Sequence, residues 1–587
     1  MVKGGSFIIP SDKLPDVFTV DSLNEDQRMI RSNLADFVAE NITTEEASKR
    51  IESKDLGFIR KLMVNLANLG YLGFEIPEEY GGTGLDKISA TLIAEEIARQ
   101  GSFAATFLAH TGIGTLPIVF FGTEEQKKKY LPKLANGEWI AAYSLTEAGA
   151  GSDARNLKTR AVWSVDGKYY VLNGEKKFVT NGGLADVFVV FAKVEEDKDI
   201  TAFIIERGFP GVKIGNEEHK MGIRGSSTTD LILQNAMVPV GNLLGERQRG
   251  FKDIALNTLN FGRFKLGAAC LGAGRMCFRE AFKYSQERKQ FGASIIELRA
   301  IRQKLALMSA KNYAMESVVY RTAGLLEETI GQIDDKNSKV VLKSIEEFVV
   351  ECSLIKVFCT EALHYIVDEN VQIHGGSGFC EGSPERHYRD SRVNRIFEGT
   401  NEINRMLATG MELVKAASGI LPVAAQGKKI LEEAMSFSLQ SESQDLIGRL
   451  FGYLNGAKKS FLIVCDAANE KFKPVIDRGA ELQKHQIILM DLADCMIEIY
   501  KLESVLAVLS KSRTGLNESL TRLIFHDGLL ELDRLIRELL AMCSDGDSQR
   551  TRLSMVKKFL KFELENKEEL CDKIVGDFVG SAAIGLL

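Results

Sequence analysis

The stretch "AVWSVDGKYYVLNGEKKFVTNGG", residues 161–183, is the clearest β-structure signal in a chain that otherwise has helical patterns. It contains two hairpin-type turn signals, Asp166-Gly167 and Asn173-Gly174, between β-prone runs. Further strands are predicted in residues 185–194, 200–206 and 228–238. Residues 143–248 are therefore predicted to form a small all-β domain.

Helical patterns flank this β-domain on both sides. In residues 1–142 and 249–415, apolar residues recur at steps of three and four, which predicts helices. Residues 416–430 are rich in small residues and are predicted as a linker. Residues 431–587 are predicted as an additional helical domain. The order helix, β-domain, helix is uncommon and favours an α+β multidomain fold.

The additional helical domain contains a narrow apolar seam. Its residues follow one another at steps of four and three: Ile488, Leu492, Cys495, Ile499, Leu502, Leu506 and Leu509. Such a seam suits a partner helix. We expect an intrachain bundle rather than a coiled coil.

The composition of the 587 residues is ordinary for a globular protein, with 45% hydrophobic and 26% charged residues. A net charge of −6 without basic runs argues against nucleic-acid binding. Nine scattered cysteines and seven histidines show no disulfide or metal-ligand spacing, so no metal site is predicted. No signal peptide or membrane-spanning apolar stretch is recognised. A cytoplasmic protein is expected, although a processed organellar protein would look the same.

Two motifs next to and within the β-domain suit a flat ligand. "YSLTEAGAGSDARNLKT", residues 143–159, offers the hydroxyls of Thr146 and Ser152 and free backbone N–H groups in a glycine-rich turn. The stretch equally fits a plain domain junction. In "KKFVTNGG", Phe178 and Thr180 are two apart on a strand and point to one face, which could cover a flavin ring or belong to a core.

Two further motifs lie in the helical region after the β-domain. "QERKQFG", residues 286–292, ends a predicted helix with Arg288, whose guanidinium suits a pyrophosphate, although a solvated arginine is commoner. "QIHGGSGF", residues 372–379, places Gly375 and Gly376 where the backbone could approach a ligand closely. His374, which precedes them, is expected to pack or to fix the loop.

"RIFEGTNEINRM", residues 395–406, carries one carboxylate in an unusual setting. Glu398 follows the apolar pair Ile396 and Phe397 and precedes a Gly-Thr-Asn turn. Apolar neighbours can desolvate a carboxylate and raise its pKa toward neutrality, which makes it a stronger base when ionised. The sequence therefore predicts that Glu398 meets a substrate in a dry pocket.

Together these motifs, with "KMGIRGSSTTD" at 220–230, resemble acyl-CoA dehydrogenases in their residues and order over about residues 25–415. The long C-terminal region resembles the very-long-chain subgroup. The resemblance implies an N-terminal helical domain, a middle β-barrel-like domain, a C-terminal four-helix bundle and an additional C-terminal helical domain. It also implies FAD between the middle domain and the bundle, near a subunit interface.

The implied reaction is FAD-dependent oxidation of acyl-CoA to trans-2-enoyl-CoA in fatty-acid β-oxidation, with hydride passing to flavin N5. An electron-transferring flavoprotein would accept the electrons, and the chain would form a homodimer. The implied location is the bacterial cytoplasm, or the mitochondrial matrix in a eukaryote. A flavin-binding scaffold or assembly factor of the same fold and an acyl-CoA oxidase are the alternatives. The C-terminal region could contact a membrane surface, but it lacks a strongly basic face.

The resemblance also assigns residues. Glu398 is the base that removes the α-proton, and its backbone N–H helps to form an oxyanion hole. The implied FAD contacts are Tyr143, Leu145, Thr146, Gly151, Ser152, Phe178, Thr180, Arg288, Gln290, Phe291, Gln372, Gly375, Gly376, Thr400 and Glu402. The implied substrate contacts are Ser152, Asn260, Arg263 and Gly399, with Arg263 near the coenzyme A moiety.

Six positions depart from the family pattern or bear on the choice of base and on specificity. Phe178 stands where tryptophan is common, and Glu402 stands where an amide or shorter acid is frequent. Gly262 stands where some members carry the base, so Glu398 is the candidate that remains. In "FLAHTGIGTL", Gly112 and Gly114 are expected to leave room for a long acyl chain and Leu108 to narrow it. These residues favour long-chain acyl-CoA.

Overall fold

The computed structural model describes residues 2–331, 338–435, 445–476 and 482–580. The first part is helical, as predicted, with α1 Glu25–Asn41, α2 Glu45–Glu52, α3 Leu56–Asn68, α4 Lys87–Ile97, α5 Gly101–Leu108, α6 Leu116–Phe121 and α7 Glu124–Ala135. A π-helical turn, Ala109–Gly114, joins α5 and α6. The combined segment Gly101–Phe121 is long and apolar enough to cross a membrane, but 78% of it is buried inside the protein. It is therefore a core segment of the fold.

The middle of the chain forms an eight-stranded sheet, which confirms the β-domain. Its strands are β1 Ala141–Ser144, β2 Arg160–Trp163, β3 Tyr169–Thr180, β4 Val187–Val194, β5 Thr201–Glu206, β6 Val212–Glu217, β7 Thr228–Pro239 and β8 Leu243–Leu244. The order is β6-β7-β3-β2-β4-β5-β8, with β1 parallel to β4. Strand β6 was not among the predicted strands.

One of the two predicted hairpins is wrong. Asp166-Gly167 does turn β2 into β3, but Asn173-Gly174 lies inside the continuous strand β3, where the register against β7 shifts. A Cβ atom at Gly174 would lie 2.4 Å from the Thr159 hydroxyl. Gly174 is therefore required because Thr159 packs closely against the backbone at a β-bulge, and not because the chain turns there.

After the sheet, the chain returns to helices. They are α8 Leu256–Glu287, α9 Arg299–Gly331, α10 Ser338–Glu347, α11 Val349–His374, α12 Gly376–Phe379, α13 Ser383–Ser391 and α14 Asn401–Ala417. A short ribbon of β9 Lys289–Gln290 and β10 Ala293–Ser294 separates α8 from α9. The long helices α8, α9, α11 and α14 pack together as a four-helix bundle around an apolar core, as the resemblance implied.

The C-terminal region adds a second set of helices on the bundle. They are α15 Val423–Met435, α16 Leu446–Ile476, α17 Gln486–Lys511, α18 Gly515–Cys543, α19 Gly546–Phe559 and α20 Lys567–Gly580. The predicted linker 416–430 is partly wrong, because α15 begins within it. The apolar seam of α17 is buried against α9, α14, α16 and α18 of the same chain, so the intrachain reading is confirmed. Arg321 of α9 and Lys458 of α16 both pair with buried Glu503 of α17.

The N-terminal segment, residues 4–18, ties the bundle to these added helices. Lys415 donates to the Gly4 carbonyl at 2.9 Å, and Lys511 donates to the Val17 carbonyl at 2.6 Å. The buried ring of Phe7 lies 4.9 Å from that of Tyr500. The N-terminal segment is therefore packed against both α14 and α17.

Candidate active site

Glu398 lies in a strained turn between two helical segments. A 3₁₀ turn, Arg392–Arg395, precedes it, and Thr400 caps α14 by accepting a hydrogen bond from the Ile403 N–H at 3.3 Å. Glu398 has φ 58° and Gly399 has φ 81°. The left-handed region is costly for a residue with a side chain, and such strain persists where the surroundings fix it.

Buried polar side chains fix this turn. Arg263 of α8 donates from Nε to the Glu398 carbonyl at 3.1 Å. Lys356 of α11 donates to the Gly399 carbonyl at 2.8 Å and to Asn401 Oδ1 at 2.7 Å. Asn404 donates to the Gly399 carbonyl at 2.7 Å. Two cations therefore hold the turn through its carbonyl groups and leave the Glu398 carboxylate unbound.

The Glu398 carboxylate lies in a dry, weakly positive setting. Its Oε2 atom is buried and has no hydrogen-bond partner within the described part of the chain. Burial raises the pKa of Glu398 to about 7, while the charges of Arg263 and Lys356 oppose the rise. A carboxyl group with this pKa can take up a proton near neutral pH.

Gly262 of α8 lies directly against this carboxylate. A Cβ atom at Gly262 would be 2.5 Å from Glu398 Oε2 and 2.6 Å from its Cδ. A side chain at position 262 and the Glu398 carboxylate would therefore overlap. Only glycine at position 262 leaves space for the carboxylate.

A cavity extends from this carboxylate between α5, the π-helical turn, α8, α11 and α13. Its walls are mainly small or apolar residues: Ala98, Gly101, Ala104, Ala105, Leu108, Ala109, Gly112, Ile113, Leu266, Ala269, Ala273, Leu363, Val367 and Phe397. Gly112 and Leu108 thus line it, as predicted. The prediction for Gly114 is wrong, because a Cβ atom there would lie 2.8 Å from Ala141 Cβ. Gly114 is needed for packing against β1.

Sequence reasoning missed a buried ion cluster in the cavity wall. Lys265, which lines the cavity, pairs with Glu75, and Lys87 pairs with the same carboxylate at 2.7 Å. Burial by itself raises the pKa of Glu75, but the two ammonium groups outweigh this effect and lower the pKa to about 2. The only signal in the sequence was a lysine on the buried face of an apolar helix.

Two predicted flavin residues lie at the Glu398 end of the cavity. Thr180, at the end of β3, lines the cavity together with Glu398. Tyr143 has a buried hydroxyl without a partner among the described residues. Burial raises the pKa of Tyr143, and the Glu398 charge adds to the rise.

Phe178 and the glycine-rich turn lie beside them. The Phe178 ring is 63% exposed although it stands in a strand, and its φ of 56° belongs to a bulge in β3. At Gly149 and Gly151 a Cβ atom would meet nothing within 4 Å, and Ser152 is exposed. Thr146 is half-buried, whereas Leu145 packs in the core. An exposed ring, hydroxyl groups and open backbone fit a flat, hydrogen-bonding flavin.

Six of the remaining predicted FAD residues form a second, separate group. Arg288, Gln290 and Phe291 follow the end of α8, and Gln372, Gly375 and Gly376 lie at the end of α11. Tyr284 and His374 stack at 4.2 Å and so hold the two helix ends together. Gly262 and the end of α8 are 25 residues apart, which is about 38 Å along the helix. The second group is therefore remote from Glu398 of the same chain.

The predicted substrate contacts differ in their placement. Arg263 and Asn260 are buried, and Arg263 Nη1 donates to Asn260 Oδ1 at 2.6 Å. Arg263 supports the Glu398 turn through its carbonyl group, and Asn260 accepts a hydrogen bond from Arg263. Their contact with the substrate stays a prediction. Gly399 completes that turn. Glu402 is exposed in the first turn of α14, where a carboxylate is favourable at the positive end of a helix.

Comparison with known proteins gives consistent matches over the whole chain. Residues 24–138, 142–236 and 248–410 match the N-terminal, middle and C-terminal domains of acyl-CoA dehydrogenases. Residues 456–558 match a further domain described as acyl-CoA dehydrogenase, C-terminal domain.

Similar full-length proteins come from bacteria and mammals. A probable acyl-CoA dehydrogenase of Bacillus subtilis is 43% identical over 96% of this chain and 95% of that protein. The mitochondrial very long-chain specific acyl-CoA dehydrogenase of Homo sapiens is 35% identical over 84% of this chain and 76% of that protein. A crystal structure of acyl-CoA dehydrogenase complexed with FAD from Bacillus anthracis has a TM-score of 0.94 and 42% identity, and covers 99% of both chains.

Proposed function

The chain belongs to the acyl-CoA dehydrogenase family and is an FAD-dependent oxidoreductase, and on this basis we propose that it oxidises long-chain acyl-CoA to trans-2-enoyl-CoA. One observation carries the proposal: the buried carboxylate of Glu398, whose Oε2 atom has no hydrogen-bond partner among the described residues, stands at the end of an apolar cavity. A fatty acyl chain is the ligand class that such a cavity fits.

Glu398 acts as the base in this proposal. Its ionised carboxylate takes the proton from the carbon next to the thioester carbonyl. The backbone N–H of Glu398 has no hydrogen-bond partner in the described chain, and it donates to the thioester oxygen as negative charge develops. When bound, FAD supplies the hydride acceptor. Arg263 and Lys356 act as positioning residues, since they hold the turn that carries both groups.

Specificity for long acyl chains is supported by the small residues of the cavity wall. From Gly262 to Ala273 the lining follows one face of α8 over about 16 Å. Leu108 is one of the larger apolar side chains in the lining, with Leu266, Leu363 and Phe397. The cavity is therefore long and narrow.

A homodimer is part of the proposal because the second FAD group is remote. An FAD bound beside Glu398 does not extend the roughly 38 Å to Arg288 along α8 of the same chain. Arg288, Gln290, Phe291, Gln372, Gly375 and Gly376 would therefore serve the FAD of a second copy. An electron-transferring flavoprotein is the proposed electron acceptor, and the cytoplasm the proposed location.

Anaerobic addition of palmitoyl-CoA to the purified FAD-loaded protein tests the function. We expect the flavin absorbance to bleach and trans-2-enoyl-CoA to form. Rapid return of the absorbance in air would indicate an oxidase. A flavin that stays oxidised with every acyl-CoA tested would contradict the proposal and favour a scaffold.

Replacing Lys356 with methionine is expected to move the acidic limb of the pH profile of kcat/KM to higher pH. The charged or titratable groups that face Glu398 are Arg263 of α8, Lys356 of α11 and Tyr143 of β1. Since the lysine charge lowers the pKa of Glu398, its loss keeps the base protonated to higher pH. The midpoint should move from about 7 to about 8, as measured by dye reduction across pH.

Lys458→Met is the matched control for this prediction. Lys458 is also a buried lysine, but it pairs with Glu503 in the C-terminal region. Its loss should lower the free energy of unfolding and leave the midpoint of the pH profile unchanged. Equal midpoints in Lys356→Met and the unsubstituted enzyme would show that Lys356 does not tune the base.

A further inference from the structure

Beyond the cavity that holds the acyl chain lies a second space, an open cleft on the protein surface. The cleft is lined by parts of α2, α8, α12 and α13, including Met276, Glu280, Phe379 and Arg386. His387 lines both the cavity and the cleft. The two spaces therefore meet at this one side chain.

The cavity and the cleft follow one continuous face of α8. Gly262, Leu266, Ala269 and Ala273 line the cavity, and Met276 and Glu280 line the cleft. These positions step by four and three, which is one stripe of a helix. Two other segments pass from one space to the other. Ala98 lines the cavity and its neighbour Arg99 lines the cleft, and His387 lines both spaces while its neighbour Arg386 lines the cleft. The cleft is thus the extension of the cavity beyond its far end.

The His387 side chain contacts Glu280, which belongs to this face of α8. Its Nε2 atom lies 3.8 Å from Glu280 Oε1. Glu280 is in turn fixed by Ser383 Oγ and by Asn370 Nδ2, the latter at 3.1 Å. His387 is buried, whereas Phe379 beyond it is 84% exposed. A fixed ring here closes the end of the cavity that is farthest from Glu398.

We propose that His387 is the end wall of the acyl cavity and sets the longest acyl chain that the enzyme accepts. The inference rests on the proposed function, since it assumes that the cavity binds the acyl chain. A chain that fills the cavity reaches the His387 ring with its terminal methyl group. Removal of the ring joins the cavity to the cleft, where Met276 and Phe379 offer apolar surface to a longer tail.

The test is the dependence of kcat/KM on acyl length for His387→Ala, with saturated acyl-CoAs of eight to twenty-four carbons. We expect the optimum to move to longer chains. For a chain two carbons beyond the original optimum, kcat/KM relative to that optimum should rise about sixteenfold, since each buried methylene contributes about fourfold. Ala273→Leu, which fills the far end of the cavity, should move the optimum to shorter chains.

Arg386→Ala is the control, because Arg386 is adjacent to His387 but lines only the cleft. Its length profile should match that of the unsubstituted enzyme. An unchanged optimum in both His387→Ala and Ala273→Leu would overturn the inference while turnover of acyl-CoA still supports the proposed function. Should His387→Ala not fold, Ala273→Leu decides alone. No oxidation of any acyl-CoA by the unsubstituted enzyme would overturn the proposed function itself.

Discussion

Glu398→Gln should retain FAD and lose about 10²–10⁴-fold in kcat/KM for a long-chain acyl-CoA. Glutamine keeps the shape of the side chain but cannot accept the α-proton. Its backbone N–H and the turn held by Arg263 and Lys356 are unaffected, so substrate binding should persist. Single-turnover bleaching of the flavin measures the step directly, and the bound-flavin spectrum reports that the site is intact.

Glu412→Gln is the matched control for this loss. Glu412 is another buried carboxylate, and both of its oxygens lack a hydrogen-bond partner among the described residues. Burial, with the nearby charge of Glu351, raises the pKa of Glu412 to about 8. It lies outside the residues that line the cavity. Full activity in Glu412→Gln, with loss in Glu398→Gln, would show that catalysis needs a carboxylate at position 398 and not any buried carboxylate. Full activity in both variants would exclude Glu398 as the base.

Gly262→Ala is expected to lower kcat/KM by about 10²-fold without unfolding the protein. The added methyl carbon would lie 2.5 Å from Glu398 Oε2, so the carboxylate has to move by roughly 1 Å. The end of a flexible side chain gives way more easily than the helix does. Misplacement of a reacting group on this scale is enough for a large loss of rate, which steady-state turnover with a dye acceptor measures.

Gly267→Ala on the same helix is the control for this substitution. There a Cβ atom would lie 3.4 Å from Ile355 Cδ1, an ordinary contact. The two substitutions raise helix propensity equally, so the two variants should unfold at similar temperatures. Their turnover rates should differ. An unchanged rate in Gly262→Ala would mean that the carboxylate reacts from another position than the one described.

The sequence was sufficient where a local pattern decides the structure. The β-domain follows from turn residues between β-prone runs, and α17 packs within the chain along its predicted seam. The same local reasoning was wrong at Asn173-Gly174, because the reason for that glycine is its close approach to Thr159, fifteen residues away. The setting of Glu398 was also readable, since its apolar neighbours adjoin it in the chain.

Long-range contacts of the site were not readable from the sequence. Lys356, Lys265 and His387 occur in stretches without a recognisable motif, and each acquires its setting from another helix. The predicted contact of Arg263 and Asn260 with the substrate stays a prediction, whereas the hydrogen bond from Arg263 to the Glu398 carbonyl, with Asn260 behind it, is visible only in the packed structure.

The tie between residues 4–18 and the added C-terminal helices has a consequence for synthesis. Lys511, which binds the Val17 carbonyl, is made 494 residues later. At about 5–20 residues per second, Phe7 and Ile8 wait roughly 25–100 s before the helices that bury them exist. The stretch that leaves the ribosome early is therefore among the last to be fixed.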